Sequence, residues 1–301
     1  MKKVVFFLLL ILGNSAFAIE NLPKSKINPD LLTKYWPARW IAYPDDSGLD
    51  YGVYHFRKTF SLKEAPKEFI IHVSADNRYR FFVNGEPVCF GPARGDLMHW
   101  RYESIDISSY LKTGENTLAA VVWNFADLKP WAQHSLQTAF ILQGNTETER
   151  IADTNPTWKV IKNKAYQPAD ASSEKTGGQF IVVGPCDEVD AAKYPWNWEK
   201  PGFDDSAWKM AKPIEPGRPK EAGTGIAWGL EPREIPLMEA KKQRFASVSS
   251  VENIQVDDTF ISGKMPLMIP PNKTVVILFD QGHLTTAYPE LKVSGGSSIK
   301  N

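Results

Sequence analysis

The stretch that decides the fold is Phe69-Ile70-Ile71-His72-Val73-Ser74-Ala75-Asp76-Asn77-Arg78-Tyr79-Arg80-Phe81-Phe82-Val83-Asn84-Gly85-Glu86-Pro87-Val88-Cys89-Phe90. Phe69, Ile71 and Val73 alternate with Ile70, His72 and Ser74, the period of two that marks a strand. On that alternation His72 faces outward. Tyr79, Phe81 and Val83 alternate with Arg80 and Phe82, and Asn84-Gly85 then precedes a second apolar run. Asn-Gly in this setting is a strong hairpin signal because both residues tolerate positive φ. Further short strands follow at 104–107, 117–123, 139–142 and 158–161, with one helical turn at 108–111 and a reversal at Gly114-Glu115-Asn116. The apolar run at 117–123 predicts a strand covered on both faces. No segment keeps a 3.6-residue period beyond two turns. Short strands separated by turn signals predict an all-β chain, a jelly-roll β-sandwich over about Tyr35 to Arg233.

Toward the carboxy terminus the pattern changes. Residues 163–178 are polar and read as a surface loop. Residues 195–219 carry Trp196, Trp198, Trp208 and five prolines, and read as extended chain wrapping the sandwich with Trp208 buried. Residues 211–233 read as a linker or strap. A second β pattern starts at Phe245, with strands expected at 274–280 and 291–293. The expected organisation is a leader at 1–18, a jelly roll with its strap at 19–235, and the start of a second, incomplete β-sandwich at 236–301.

Composition narrows the function classes. Lysine plus arginine number 35, as do aspartate plus glutamate, so the formal charge is zero. A dedicated nucleic-acid binder would need a basic excess, so no nucleic-acid partner is expected. The chain holds 10 Trp, 10 Tyr and 16 Phe, enough to supply both a core and exposed rings for sugars. Met1-Lys2-Lys3, the apolar run from Val4 to Leu12 and Ala16-Phe17-Ala18 form a cleavable signal peptide, with cleavage expected after Ala18 and a periplasmic or secreted product without a membrane anchor. The two cysteines, Cys89 and Cys186, permit one disulfide in such a compartment; the competing reading is that Cys89 is buried as a small apolar residue.

Hydrolytic chemistry finds little support. Glycoside cleavage needs two carboxylates about 5–9.5 Å apart across the bond. The acidic pairs Asp45-Asp46, Asp204-Asp205 and Asp257-Asp258 are adjacent residues, which point to opposite faces of an extended chain. Asp204 and Asp205 read as turn caps. No Gly-x-Ser-x-Gly elbow is present. Asp187, Glu188 and Asp190 place oxygens at alternate positions, which allows a structural calcium; a solvated acidic loop is the competing reading. Binding is easier to build. Asp76 and Arg78 sit at the entry to the hairpin strand, Arg94 and Asp96 in a Gly-bounded loop with Trp100 close behind, and Trp131 and His134 in another inter-strand loop. A ring face with Arg, Asp and Asn hydroxyl partners is the chemistry of a carbohydrate site. The alternative is structural: Arg78 paired with Asp106 or Asp76, Arg94 paired with Asp96, and Trp123 in the core.

Seven pieces in order resemble one family. They are Tyr35-Trp36-Pro37-Ala38-Arg39-Trp40-Ile41; Phe56-Arg57-Lys58-Thr59-Phe60; the Ala75-to-Gly85 hairpin; Gly91-Pro92-Ala93-Arg94-Gly95-Asp96; Gly114-Glu115-Asn116-Thr117-Leu118; Gly202-Phe203-Asp204-Asp205-Ser206-Ala207-Trp208; and Gly229-Leu230-Glu231-Pro232-Arg233. The order resembles the amino-terminal part of bacterial α-L-rhamnosidases, which implies a galactose-binding-like jelly roll. Those enzymes carry their catalytic carboxylates on a helical toroid farther along the chain, and nothing here resembles it. The resemblance therefore implies an accessory region, inactive without that toroid, whose partner is a rhamnose-containing glycan or another carbohydrate. Two alternatives stay open: a free secreted carbohydrate-binding module, or the lid domain of another glycosidase family. No catalytic residue is assigned.

Overall fold

The computed structural model describes residues 20–170, 186–238 and 241–294. The expected leader at 1–18, residues 171–185 and the carboxy-terminal residues from 295 lie outside the described residues. The chain divides after Met238 into two compact units.

In the first unit the strands are β1 (Arg39–Ala42), β2 (Gly52–Leu62), β3 (Ile70–Asp76), β4 (Arg78–Val83), β5 (Glu86–Gly91), β6 (Trp100–Asp106), β7 (Gly114–Asn124), β8 (Ala139–Gly144), β9 (Lys159–Lys162), β10 (Tyr166–Pro168), β11 (Asp187–Val189), β12 (Lys209–Met210), β13 (Lys212–Pro216), β14 (Arg218–Pro219) and β15 (Gly229–Pro232). One sheet has the order β13-β1-β8-β3-β6-β15-β14 and the other β12-β9-β2-β7-β4-β5; β10 and β11 form a separate ribbon. The all-β sandwich read from the sequence is the fold the chain adopts. The hairpin forms where the Asn-Gly pair stands: β4 and β5 are antiparallel and the turn residues Asn84 and Gly85 have φ of 53° and 90°. The expected helical turn is a short 3₁₀ segment at Ser108–Tyr110.

The main core lies between the two sheets. Ile71, Val73, Phe140 and Leu142 from one meet Tyr54, Phe56, Phe81, Leu118 and Val122 from the other. The Phe56 and Phe140 rings stack at 5.5 Å. Both outer faces are also covered. Trp36, Trp40, Trp100, Tyr102, Trp228 and Leu230 form a second cluster on the seven-stranded sheet, and Trp198 and Trp208 pack on Ala119 of the six-stranded one. Arg57 fastens the wrapping segment to β2. Its guanidinium donates to Asp205 Oδ2 at 2.9 Å and to the carbonyls of Trp198 and Lys200 at 2.9 Å each.

Two expectations are corrected here. His72 does not face solvent: every residue of β3 is buried, because the second tryptophan cluster covers the sheet's other side. Its Nε2 donates to Asn145 Oδ1 at 3.0 Å, since that oxygen already accepts from Asn28 N, and Nδ1 takes the Ser104 hydroxyl at 2.9 Å. Residues 211–233 are not a linker. They supply β13, which pairs with β1, and β15, which lies parallel to β6 with Leu230 opposite Trp100. Of the two readings of the cysteines, the unbridged one holds: both are free, Cys89 buried as a small apolar residue and Cys186 exposed.

The second unit holds an antiparallel pair, β16 (Ser247–Glu252) and β17 (Val276–Asp280), and one short helix, α1 (Asp258–Ile261). Asp257 caps that helix by accepting from the amides of Thr259 and Phe260. Phe245 and Phe279 stack at 4.6 Å. The strand expected at 291–293 does not form; Leu291 and Val293 are exposed and no described strand pairs with them.

Candidate functional site

The junction between β3 and β4, residues 76–78, is where two loops are fastened. Asp76 is fully buried and holds the loop after β7. Its Oδ1 accepts from Ser135 Oγ at 2.6 Å and Asn77 Nδ2 at 2.9 Å; its Oδ2 accepts from the amides of Leu136 and Gln137 and from Trp228 Nε1 at 3.0 Å. Burial pushes the Asp76 carboxyl above its usual range, while Ser135, the Leu136 amide, Asn77 and Trp228 pull against that rise. Asn77 follows across a cis peptide bond. Its Nδ2 also donates to Ser135 Oγ at 2.8 Å, whereas its Oδ1 is buried with no hydrogen-bond partner. An orphaned buried acceptor costs about 1–3 kcal/mol.

Arg78, half-buried on the other side of this junction, donates from Nη1 to the carbonyl of Pro92 and so holds the loop after β5. Burial lowers its affinity for the proton, with the nearby Glu103 charge opposing and Arg94 reinforcing that shift. The same loop is pinned from beneath by the amide of Ala93 on Glu103 Oε1, 3.0 Å. Glu103 is itself buried and paired with Arg233 at 3.1 Å.

The residues singled out in the sequence separate into two groups. Trp131 is 89% exposed, and His134 and Arg94 are exposed as well. They stand on the loops that the junction holds. Asp76 and Trp100 do not reach the surface. Asp76 spends its oxygens on the chain itself, and Trp100, 2% exposed, packs in the second tryptophan cluster beside Leu230. Asp96 is exposed but closes its own loop. Its Oδ1 accepts from the amides of Met98 and His99, and His99 Nδ1 lies 3.0 Å away. The His99 side chain and these amides hold its carboxyl below the usual range. Asp96 therefore pairs with His99 rather than with Arg94, because an Asp side chain most readily meets amides two and three residues on. Arg78 bonds a carbonyl instead of Asp106 or Asp76, and Trp123 is half-buried.

Both adjacent acidic pairs of the first unit are engaged in structure. Asp45 pairs with Lys209. Asp46 accepts from Tyr54 and Lys162. Asp204 takes the Ser206 amide, as a turn cap should, but Asp205 bridges Arg57 and Lys159. Asp187 accepts from the Tyr51 hydroxyl at 2.7 Å, and Asp190 pairs with Lys193. Among the described residues no three His, Cys, Asp or Glu side chains gather as a metal ion would require.

The family profile of the alpha-L-rhamnosidase N-terminal domain matches residues 64–222, a span that holds both loops and the junction between them. The chain belongs to this family. The α-L-rhamnosidase of Streptomyces avermitilis is 25% identical over 210 residues, which cover 68% of this chain and 16% of that protein. The α-L-rhamnosidase of Formosa agariphila is 25% identical over 179 residues, 54% of this chain and 18% of its own length. The crystal structure of a GH78 family rhamnosidase from Bacillus sp. GL1 superposes with a TM-score of 0.60 at 27% identity, over 72% of this chain and 22% of that one. The chain thus spans less than a fifth of the length of the curated relatives it matches. In those relatives the matched region is a small part of a much longer chain. Among the described residues no helix is long and apolar enough to cross a membrane.

Two features of this rhamnosidase N-terminal domain were not legible in the sequence. Trp228 reaches Asp76 across 152 residues, a distance no local pattern reports. The orphaned oxygen of Asn77 arises only from burial. The signal that did point here was the run Asp76-Asn77-Arg78, three polar residues between two apolar strands.

Proposed function

We propose that the chain is the carbohydrate-binding accessory region of an exported α-L-rhamnosidase-type glycoside hydrolase, and that hydrolysis belongs to another part of such an enzyme. The observation that carries this is the exposed Trp131 ring on a loop clamped by buried Asp76. A ring face takes the apolar side of a pyranose. Exposed Arg94 and His134 add polar groups on the two loops that can bond sugar hydroxyls. A glycan bearing terminal rhamnose is the partner this reading names, and reading residues 1–18 as a cleavable leader supports a place outside the cytoplasm. The structural engagement of Asp45, Asp46, Asp204 and Asp205 supports a binding role over a hydrolytic one.

Calorimetry of the purified chain with rhamnose-terminated oligosaccharides tests the reading. Binding weakened about tenfold by Trp131→Ala supports it. Undiminished binding in that variant moves the site elsewhere. Turnover of p-nitrophenyl α-L-rhamnoside by the chain alone, abolished by replacing one acidic residue, would overturn the division of labour.

A further inference from the structure

At the end of the seven-stranded sheet remote from Asp76 there is a cleft of about 320 Å³. The antiparallel register of β3 and β8 fixes this placement. Asp76 lies opposite Ala139 at one end, and Ile71 lies opposite Gly144 at the other. Five residues of strand separate Ile71 from Asp76, about 17 Å at the usual rise. The cleft's floor is Gly144 and Asn145, and its walls carry Asn28, Lys34, Tyr35 and Arg150.

The floor is held rigidly. The amide of Asn28 donates to Asn145 Oδ1 at 2.7 Å, and Asn28 Nδ2 donates to the Asn145 carbonyl at 3.0 Å. Buried His72 supports the same Asn145 oxygen from below. The amino-terminal segment and the turn after β8 are thereby tied together with the cleft open between them. Tyr35 presents a ring that is 55% exposed. The charges come in pairs, Lys34 with Asp30 at 2.9 Å and Arg150 with Glu147 at 2.5 Å. All four side chains are well exposed, so these ion pairs are weak and free to exchange partners.

We propose that this cleft is a second saccharide subsite, specific for an uncharged sugar and independent of the Trp131 loop. The lining decides the class. Two cations and two carboxylates leave no net charge, so a phosphate would meet two carboxylates and a cation two basic groups. A polyhydroxyl ligand uses both signs, donating to Asp30 or Glu147 and accepting from Lys34 or Arg150. The Tyr35 ring supplies the apolar contact, as Trp131 does at the opposite pole. The volume falls at the small end of ligand pockets, a size for a single sugar unit. Subsites at two poles of one rigid sandwich can engage one branched glycan or two strands of a polysaccharide, which raises avidity without new contacts.

A glycan array probed with the labelled full chain tests this, using neutral rhamnosyl, galactosyl, glucosyl and mannosyl glycans, with inorganic phosphate as competitor. Three proteins are compared: wild type, Trp131→Ala, and the double variant Tyr35→Ala/Arg150→Gln, whose changes are both at exposed positions. The expected result is a neutral glycan still bound by Trp131→Ala but weakened about tenfold in the double variant, and not displaced by phosphate. Wild-type binding of every glycan by the double variant, or displacement by phosphate, overturns the second subsite and leaves the Trp131 reading standing. Loss in the double variant alone, with Trp131→Ala unchanged throughout, keeps the cleft and removes the Trp131 reading. A blank array for the wild-type chain removes both.

Discussion

The two units use strands of similar sequence quality to opposite ends. Val276–Asp280 is as apolar a strand as any in the chain, yet Val276 is 50% and Leu278 58% exposed. In the first unit polar His72 is 0% exposed on a strand buried along its whole length. The difference lies in the layers, not in the strands. β3 sits between a partner sheet and a tryptophan cluster, whereas β16 and β17 form a two-stranded ribbon, which by itself gains little burial. Strand propensity sets where a strand forms; the number of layers above and below it sets how much that strand contributes to stability.

The sharpest way to break this comparison is to remove one aromatic from each unit. Trp228 is fully buried, stacks on Trp40 at 4.4 Å and donates to Asp76. Trp228→Ala is expected to cost about 3–5 kcal/mol. Phe279→Ala removes a half-exposed ring from its stack on Phe245 and is expected to cost about 0.5–1.5 kcal/mol. Urea unfolding followed by tryptophan fluorescence and circular dichroism measures both. Equal losses would show that the ribbon is as well supported as the sandwich.

Within the first unit the contrast is between the residue that fastens a loop and the residue the loop displays. Asp76→Ala strips the acceptor from Ser135, two backbone amides and Trp228, and an expected loss of about 1–3 kcal/mol follows from leaving such donors buried and unpaired. Hydrogen exchange at the amides of Leu136 and Gln137 should accelerate in the same variant. Trp131→Ala, at an exposed position, should stay within about 0.5 kcal/mol of the parent. If Asp76→Ala leaves those amides protected, the loop is held by something other than this carboxylate.

What the sequence made legible follows the same division. Period-two alternation and Asn84-Gly85 located the hairpin because they are local signals, and the Trp198 and Trp208 wrap was visible as prolines and tryptophans in an otherwise polar stretch. The outward placing of His72 failed because alternation shows which side of a strand a residue takes, not whether that side is covered. The cover comes from residues 27–40 and 228–230, far away in sequence. Residues 211–233 read as a strap for a related reason: β14 and β15 are short and rich in Gly and Pro, and β15, with β14 along its outer edge, finds its other partner in β6, far away in sequence. For the site, Trp131 and Arg94 were readable as exposed loop residues, while Asp76 and Trp100 were not separable from them without knowing burial.

The buried histidines turn the layered packing into a pH dependence. Burial pushes His72 down from 6.5 to about 4 and His55 to about 3. Both take up protons in the unfolded chain before the folded one, so their contribution is complete above about pH 6.5 and is lost as the pH falls toward those values. Asp153 acts in the opposite sense. Burial raises its carboxyl from 3.8 to about 6, so the folded chain holds that proton first and gains stability as the pH drops through 6. Acidification from pH 6.5 to 4 therefore sets the loss from the two histidines against the gain from Asp153 and from Asp76, Glu103 and Glu215, whose carboxyls burial also raises. His72→Gln, which keeps a donor toward Asn145, should remove about 1.4 kcal/mol per pH unit of that loss, and Asp153→Asn should remove part of that gain. Urea titrations at several pH values measure both slopes; a His72→Gln slope equal to the parent's would place the proton uptake elsewhere.

The smallest effect concerns the two loops of the candidate site. Asp96 caps its own loop through the amides of Met98 and His99, both at the surface, and an exposed cap of this kind is worth about 0.5–2 kcal/mol where it starts a helix and less in an open loop. Asp96→Ala is therefore expected to change stability by no more than about 0.5 kcal/mol. Its effect on ligand should be indirect, since the carboxylate is already engaged with His99 and the loop amides. Arg94→Ala should leave stability equally unchanged, yet it removes a guanidinium that stands exposed near Arg78. Calorimetry on a glycan that depends on Trp131 separates the two loops. Weaker binding in Arg94→Ala with little change in Asp96→Ala joins the loop after β5 to the Trp131 loop as one surface. The reverse order would mean that Asp96 leaves His99 to meet the sugar. No change in either variant would confine the site to the loop that Asp76 holds.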